Sequence, residues 1–241
     1  MTATYFDQLH QATPTRVWVN NPTIAEAERA IANGIRSSTT NPTFAAKILP
    51  TLAADDRQAV LNDAIRSAGD ADARTDAVQQ ILVARLLRVF APHQDPANPL
   101  HGLVSIQGNP HHDTDCDHLL HEAAHYDRLG PNVIAKIPAT RAGLLAIEDL
   151  LTRGKPVLAT EMMSVAQTRA ACEVYQRVVT KTGRRPVFII THITGIYDEC
   201  LAKQAAVTAP DLAAEVLDEA GFLVRPAIAS PPPSPSSTSP S

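Results

Sequence analysis

The chain has 241 residues, 44% of them hydrophobic, enough for one large domain or two small ones around a packed core. Its 21 Lys+Arg against 25 Asp+Glu give a net charge of -4 with no basic cluster, which argues against nucleic acid or an anionic membrane as partner. Cys116, Cys172 and Cys200 are odd in number and widely spaced, so neither a disulfide framework nor a thiolate zinc site is expected; with no basic start followed by an apolar run, the expectation is an unprocessed cytoplasmic protein.

Short β-rich runs alternate with longer stretches of helical period. A strand at 16–19 (RVWV) leads to a helix at 23–32, and a strand at 34–39 (GIRSST) leads to two helices within 41–90. Strand 102–107 (GLVSIQ) precedes helix 113–129, strand 132–137 (NVIAKI) precedes helix 143–153, and strand 156–161 (PVLATE) precedes helix 164–181. Strand 186–193 (PVFIITHI) closes the series, and the chain beyond it has room for a helix at 197–217 and a short seventh strand at 222–228, but not for an eighth. Residues 230–241 hold six Ser, five Pro and one Thr, a composition with nothing to bury, so a disordered tail is expected after a barrel domain at 1–229.

The alternation predicts an α/β fold of parallel strands with crossover helices. Strand starts at 132, 156 and 186 set one strand-helix unit at about 24 to 30 residues, as in a (β/α)8 barrel or a doubly wound sheet. No glycine-rich phosphate-binding turn follows any strand, which favours the barrel, a (β/α)8-type TIM barrel with six or seven strands.

Lys136 is the residue that points to chemistry. It lies within NVIAKIPAT, flanked by apolar residues on a strand expected to be buried on both faces, where lysine is rarely found. In water roughly one part in 2,500 of a lysine amine is neutral at pH 7, but an apolar barrel interior favours the neutral form. A neutral amine attacks a carbonyl and forms a Schiff base. The bland counterpart is a lysine reaching the barrel mouth or paired with a structural carboxylate.

The run NVIAKIPATRAGLLAIEDLLTRG, with SSTTNPTFAAKIL at 37–49, resembles the transaldolases and the related fructose 6-phosphate aldolases, from about residue 16 to 198. The hallmarks are a TTNP-type turn after the second strand and K-[IV]-P-x-T on the fourth, followed by a G-L-x-A-I helix. The resemblance implies a (β/α)8 barrel and a Schiff-base lysine, Lys136, that moves or releases a dihydroxyacetone unit of a ketose phosphate in pentose phosphate metabolism. It implies that Asn41, beside Thr39 in the same turn, binds a substrate hydroxyl, and that Thr160, in VLATEMMS on the fifth strand, lies near the reacting water. Thr191 and His192 of THITGIYDE fall at the mouth of the sixth. No cofactor and no metal are expected.

Several positions depart from that family. Asn20 stands where the family has the aspartate that shuttles the proton of carbon-carbon cleavage, and an amide cannot accept that proton. Gln107 replaces the carboxylate of many transaldolases, as the aldolase branch also does; Leu158 replaces a substrate-binding Asn, and Ile196 a phosphate-binding Arg. His192 is the histidine that could replace the lost base. These departures set a second expectation beside the enzyme, a catalytically impaired barrel relic that binds or does nothing. An unclosed barrel would expose backbone and apolar edge, which a homo-oligomer would cover.

His121-Glu122-Ala123-Ala124-His125 also spells H-E-x-x-H, with His118 one turn earlier, a zinc-hydrolase pattern when it lies on a helix. The match of this segment to the helix before the lysine strand makes these ordinary outer-helix positions. Met162 and Met163 are expected to fill core gaps, Trp18 to pack, and the acidic run at 113–117 to start a helix in solvent.

Overall fold

Six strands pair in parallel, each beside the next in the chain: β1 (Trp18–Asn20), β2 (Ser37–Thr39), β3 (Val104–Gln107), β4 (Val133–Pro138), β5 (Val157–Met162) and β6 (Phe188–His192). This computed structural model describes residues 3–67, 69–193 and 195–208. The helices are α1 (Tyr5–Ala12), α2 (Ile24–Ala32), α3 (Phe44–Ile48), α4 (Ala54–Ser67), α5 (Ala71–Phe90), α6 (Cys116–Tyr126), α7 (Arg141–Thr152), α8 (Val165–Thr182) and α9 (Gly195–Thr208). The sheet and α1–α8 form one unit ending at His192, and a second begins at Ile193, of which α9 is described. The expected strand 222–228, the end of helix 197–217 and the Ser/Pro tail lie outside the described residues. No described helix is long and apolar enough to cross a membrane.

Strand alternation sorts the side chains into two faces. On the helix side, Val104, Ile106 and Val133 join Phe44, Leu82, Leu86 and Phe90 in one core. Further along the sheet, Ile137, Ala159 and Met162 join Leu119, Ile147, Leu151 and Val174 in a second. The opposite face carries Ile134 and Leu158, packed with Leu103 and with half-buried Trp18, Val187 and Ile189. Trp18 of the first strand and Ile189 of the sixth line one cavity of about 320 Å³, so the sheet is curled about this inner cluster. The six strands are the curled wall of a (β/α)8-type barrel, incomplete among the described residues.

Local sequence explains most element ends. Thr23 and Glu26 form a capping box at α2, Ser164 caps α8, and Gly183 ends it with φ 68°. Three corrections to the expected elements follow from similar chemistry. Region 41–90 holds three helices rather than two, because Pro50 sits in a tight 3-10 turn that ends α3. Strand 34–39 begins only at Ser37, because Gly34 at φ 97° belongs to the turn that ends α2. Helix α6 begins at Cys116, capped by Asp115, whose carboxylate accepts the His118 N–H at 3.0 Å. Helix α1 was not expected at all, although Thr4 and Asp7 form a capping box that the sequence displays.

Candidate active site

Lys136 stands on the inner face of β4, in register with Gln107 on β3 and Leu158 on β5. Its Nζ donates to the Thr40 carbonyl at 3.3 Å. Burial pushes the pKa of this half-buried amine down, and the Glu161 carboxylate offsets part of that shift.

The Thr40 carbonyl is held from β3. Ser105, buried on that strand, shares a hydrogen bond with the Thr39 hydroxyl (2.8 Å) and accepts from the Thr40 N–H (3.2 Å), while the Thr40 hydroxyl donates to the Ser105 carbonyl (2.7 Å). Sequence reasoning passed over Ser105, whose only signal was a small polar residue within an apolar strand. Asn41 is fixed by Asn21: the Asn41 N–H donates to Asn21 Oδ1 (3.1 Å) and Asn21 Nδ2 donates to Asn41 Oδ1 (3.0 Å). Because Asn41 Oδ1 also accepts from the Thr43 N–H and hydroxyl, the side-chain group it offers a ligand is its Nδ2 donor. Asn21, at φ 48°, is buried, whereas Asn20 is exposed at the end of β1.

Gln107 and Thr160 are both buried, and the amide of Gln107 donates from Nε2 to Glu161 Oε1 at 2.8 Å. Thr191 shares the inner cavity with Thr39 and Leu158, and its hydroxyl donates to the Ala159 carbonyl at 2.9 Å. His192 has the opposite strand parity, that of the helix-facing Phe188 and Ile190, and its Nδ1 lies 2.7 Å from the Met162 carbonyl. Lys136, Gln107, Thr39 and Thr191 therefore belong to the inner face of the wall, and His192 does not.

Two acidic groups were missed. Glu161 follows Thr160 on β5, and Asp113 lies before α6 rather than inside a solvated helix start. Asp113 is half-buried, with the carboxylates of Glu161 and Glu122 near it. Burial first, and then the nearby charges of Glu161 and Glu122, raise its pKa to about 6. A raised carboxyl pKa favours the protonated fold, so this stabilisation is complete below the ordinary aspartate value of 3.8 and is lost as pH rises through about 6. The thermal midpoint should fall between about pH 4 and about pH 7, and by less in Asp113→Asn. Equal slopes for the two proteins would remove Asp113 as the titrating group.

The H-E-x-x-H stretch lies on α6. Glu122 is buried, accepts the Asn109 N–H at 3.1 Å and lies 3.3 Å from His118 Nε2, while His121 is exposed and its ring meets that of His125 edge-on. Glu122 so braces the exit of β3, where a Cβ on Gly108 would come within 1.9 Å of its carboxylate. Among the described residues no group of three or more His, Cys, Asp or Glu is placed to hold a metal ion.

Fold and site together define a (β/α)8-type barrel with a desolvated lysine on its fourth strand. Residues 17–212 match the model of the transaldolase/fructose-6-phosphate aldolase family, and the chain belongs to that family. It is similar to the transaldolases of Mycobacterium ulcerans (strain Agy99) and Mycobacterium marinum, 31% identical to each over 148 residues, 61% of this chain and 39% of the relative. The transaldolase of Mycolicibacterium smegmatis is 30% identical over 139 residues, 57% of this chain and 37% of its own length. The chain thus spans about two-fifths of the length of these relatives.

Proposed function

We propose that the chain is a transferase or aldolase that moves or releases a dihydroxyacetone unit of a ketose phosphate through a Schiff base on Lys136, in carbohydrate metabolism. The observation that carries this reading is a desolvated amine on the inner face of β4 in a chain of this family. The neutral amine attacks the C2 carbonyl of the ketose, and loss of water leaves an iminium. The iminium accepts the electrons of the C3–C4 bond as the C4 hydroxyl loses its proton, so an aldehyde departs and an enamine stays on the lysine. An acceptor aldehyde, or a proton and water, then discharges the enamine. Asn41 offers Nδ2 to a substrate hydroxyl, and Gln107 and Thr160 flank the place where water is lost.

A second reading, a barrel that binds a sugar without turning it over, is favoured by Asn20, an amide where the family has a carboxylate. One experiment separates the two. Fructose 6-phosphate is supplied and the release of glyceraldehyde 3-phosphate is followed, alongside borohydride reduction and intact mass. Adduct with aldehyde release is the result expected for the enzyme. Adduct without release would select the binding barrel, and neither from folded protein would exclude the Schiff base.

A further inference from the structure

We propose that Glu161 is the proton carrier of this site, taking the proton of the substrate's C4 hydroxyl that the amide of Asn20 cannot accept. The inference rests on the Schiff-base reading above and adds to it the group that opens the carbon-carbon bond.

The placement of Glu161 depends on an irregularity in β5. Ala159 is in register with Ile190 and Met162 with His192, so β5 spends three steps where β6 spends two, which is a β-bulge. Glu161 takes the bulge at φ 59°, a left-handed conformation that residues other than glycine rarely adopt. Strict alternation from Leu158 and Thr160 would turn residue 161 toward the apolar helix layer and Met162 inward. The bulge reverses both. Met162 is fully buried in the helix-side core, and the Glu161 carboxylate faces Gln107 and Asp113.

The bulge is braced by Gln167 of α8. Its Nε2 donates to the carbonyls of Glu161 and Ala139, each at 3.3 Å, and its Oε1 accepts the Met163 N–H at 2.9 Å. A strained conformation held this way at the end of a barrel strand is where function is expected, because reacting groups in such barrels sit at the C-terminal ends of strands.

The charges around Glu161 suit proton transfer. Lys136 on β4 is within its electrostatic reach, Gln107 on β3 donates to it, and Asp113 lies near it, with the charge of Glu122 on α6 also acting on Asp113. Two neighbouring carboxyls hold one proton between them more readily than they hold two negative charges. Burial first, and then the charges of Glu161 and Glu122, raise Asp113 to about 6. In cleavage, Glu161 takes the hydroxyl proton while the C3–C4 electron pair moves into the iminium; in the reverse step it returns the proton to the oxygen of the acceptor aldehyde. His192, the other base in the region, lies on the opposite strand face against the Met162 carbonyl.

The test compares wild type, Glu161→Gln, Glu161→Asp and Asp113→Asn with fructose 6-phosphate, reading the borohydride-trapped adduct and the release of glyceraldehyde 3-phosphate separately, with circular dichroism as the control for folding. Glu161→Gln keeps the acceptor for Gln107, so it should form the adduct within about twofold of wild type yet release aldehyde about 10² to 10⁴ times more slowly. Glu161→Asp should recover part of that rate. Asp113→Asn leaves the Glu161 carboxylate in place, so it should form the adduct and release aldehyde faster than Glu161→Gln. Adduct and aldehyde release both at wild-type levels in Glu161→Gln would overturn this inference and leave the Schiff base standing. Loss of the adduct itself from folded Glu161→Gln would also overturn it, by making Glu161 a part of lysine chemistry. A wild type that forms no adduct would overturn both readings.

Discussion

Lys136→Ala should abolish the reducible dihydroxyacetone adduct and lower aldehyde release by at least about four orders of magnitude, since no other lysine lies on the six described strands. The exposed lysines do not compete. An ordinary amine is roughly one part in 2,500 neutral at pH 7, while burial lowers the pKa of Lys136 and leaves a larger share of it neutral. Adduct formation should therefore rise with pH and level off earlier than for a lysine in water. The same burial has a stability consequence. The fold favours the neutral amine, so charged Lys136 opposes folding at pH values below the ordinary lysine pKa, and stability gained at this site grows as pH rises. Lys136→Met should accordingly raise the thermal midpoint at neutral pH while removing the adduct. An adduct that persists in Lys136→Ala would move the reactive amine elsewhere.

The strands were legible because β-branched and apolar runs recur at regular spacing, and Lys136 was legible because a cation interrupts one of them. Asn41 and Thr39 were readable from the turn that carries them. Glu161 was not, and the reason is physical: period-two reading assigns residues 160 and 161 to opposite faces, and only a bulge makes both available to the site. Nothing in the residue type announces a positive φ at a glutamate. The same rule applied without a bulge explains His192, which neighbours Thr191 in sequence and leaves the inner face by alternation. Asp113 looked like a solvated helix start because the run 113–117 is acidic. Asp115, not Asp113, caps the helix, and the Asp113 carbonyl instead accepts the Thr140 hydroxyl at 2.6 Å, which ties the loop after β3 to the start of α7.

That start of α7 is the place where one methyl group should do most damage to the fold. Gly143→Ala is expected to destabilise the protein by about 3 kcal/mol or more, out of a total of about 5–15 kcal/mol for a domain of ordinary stability. Helix propensity alone argues the other way, because alanine is better than glycine in a helix by about 1 kcal/mol. Packing decides. A Cβ on Gly143 would lie 1.8 Å from the Pro138 carbonyl oxygen, a backbone atom at the end of β4 that moves only if the strand moves. The helix cannot back away cheaply, because Ala146, Ile147, Leu150 and Leu151 are buried behind it and the Gly143 N–H donates to the Thr140 hydroxyl at 2.9 Å. Lys136 lies two residues before Pro138 on that strand, so whatever relieves the clash also displaces the amine. Gly69→Ala is the matched control, since a Cβ there meets nothing within 4 Å and should leave stability unchanged or slightly raised. Urea midpoints at constant slope measure both, and trapping measures the amine. If Gly143→Ala matched the control in both readouts, α7 would have to slide freely over β4, and the close approach of helix to strand would lose its part in holding Lys136.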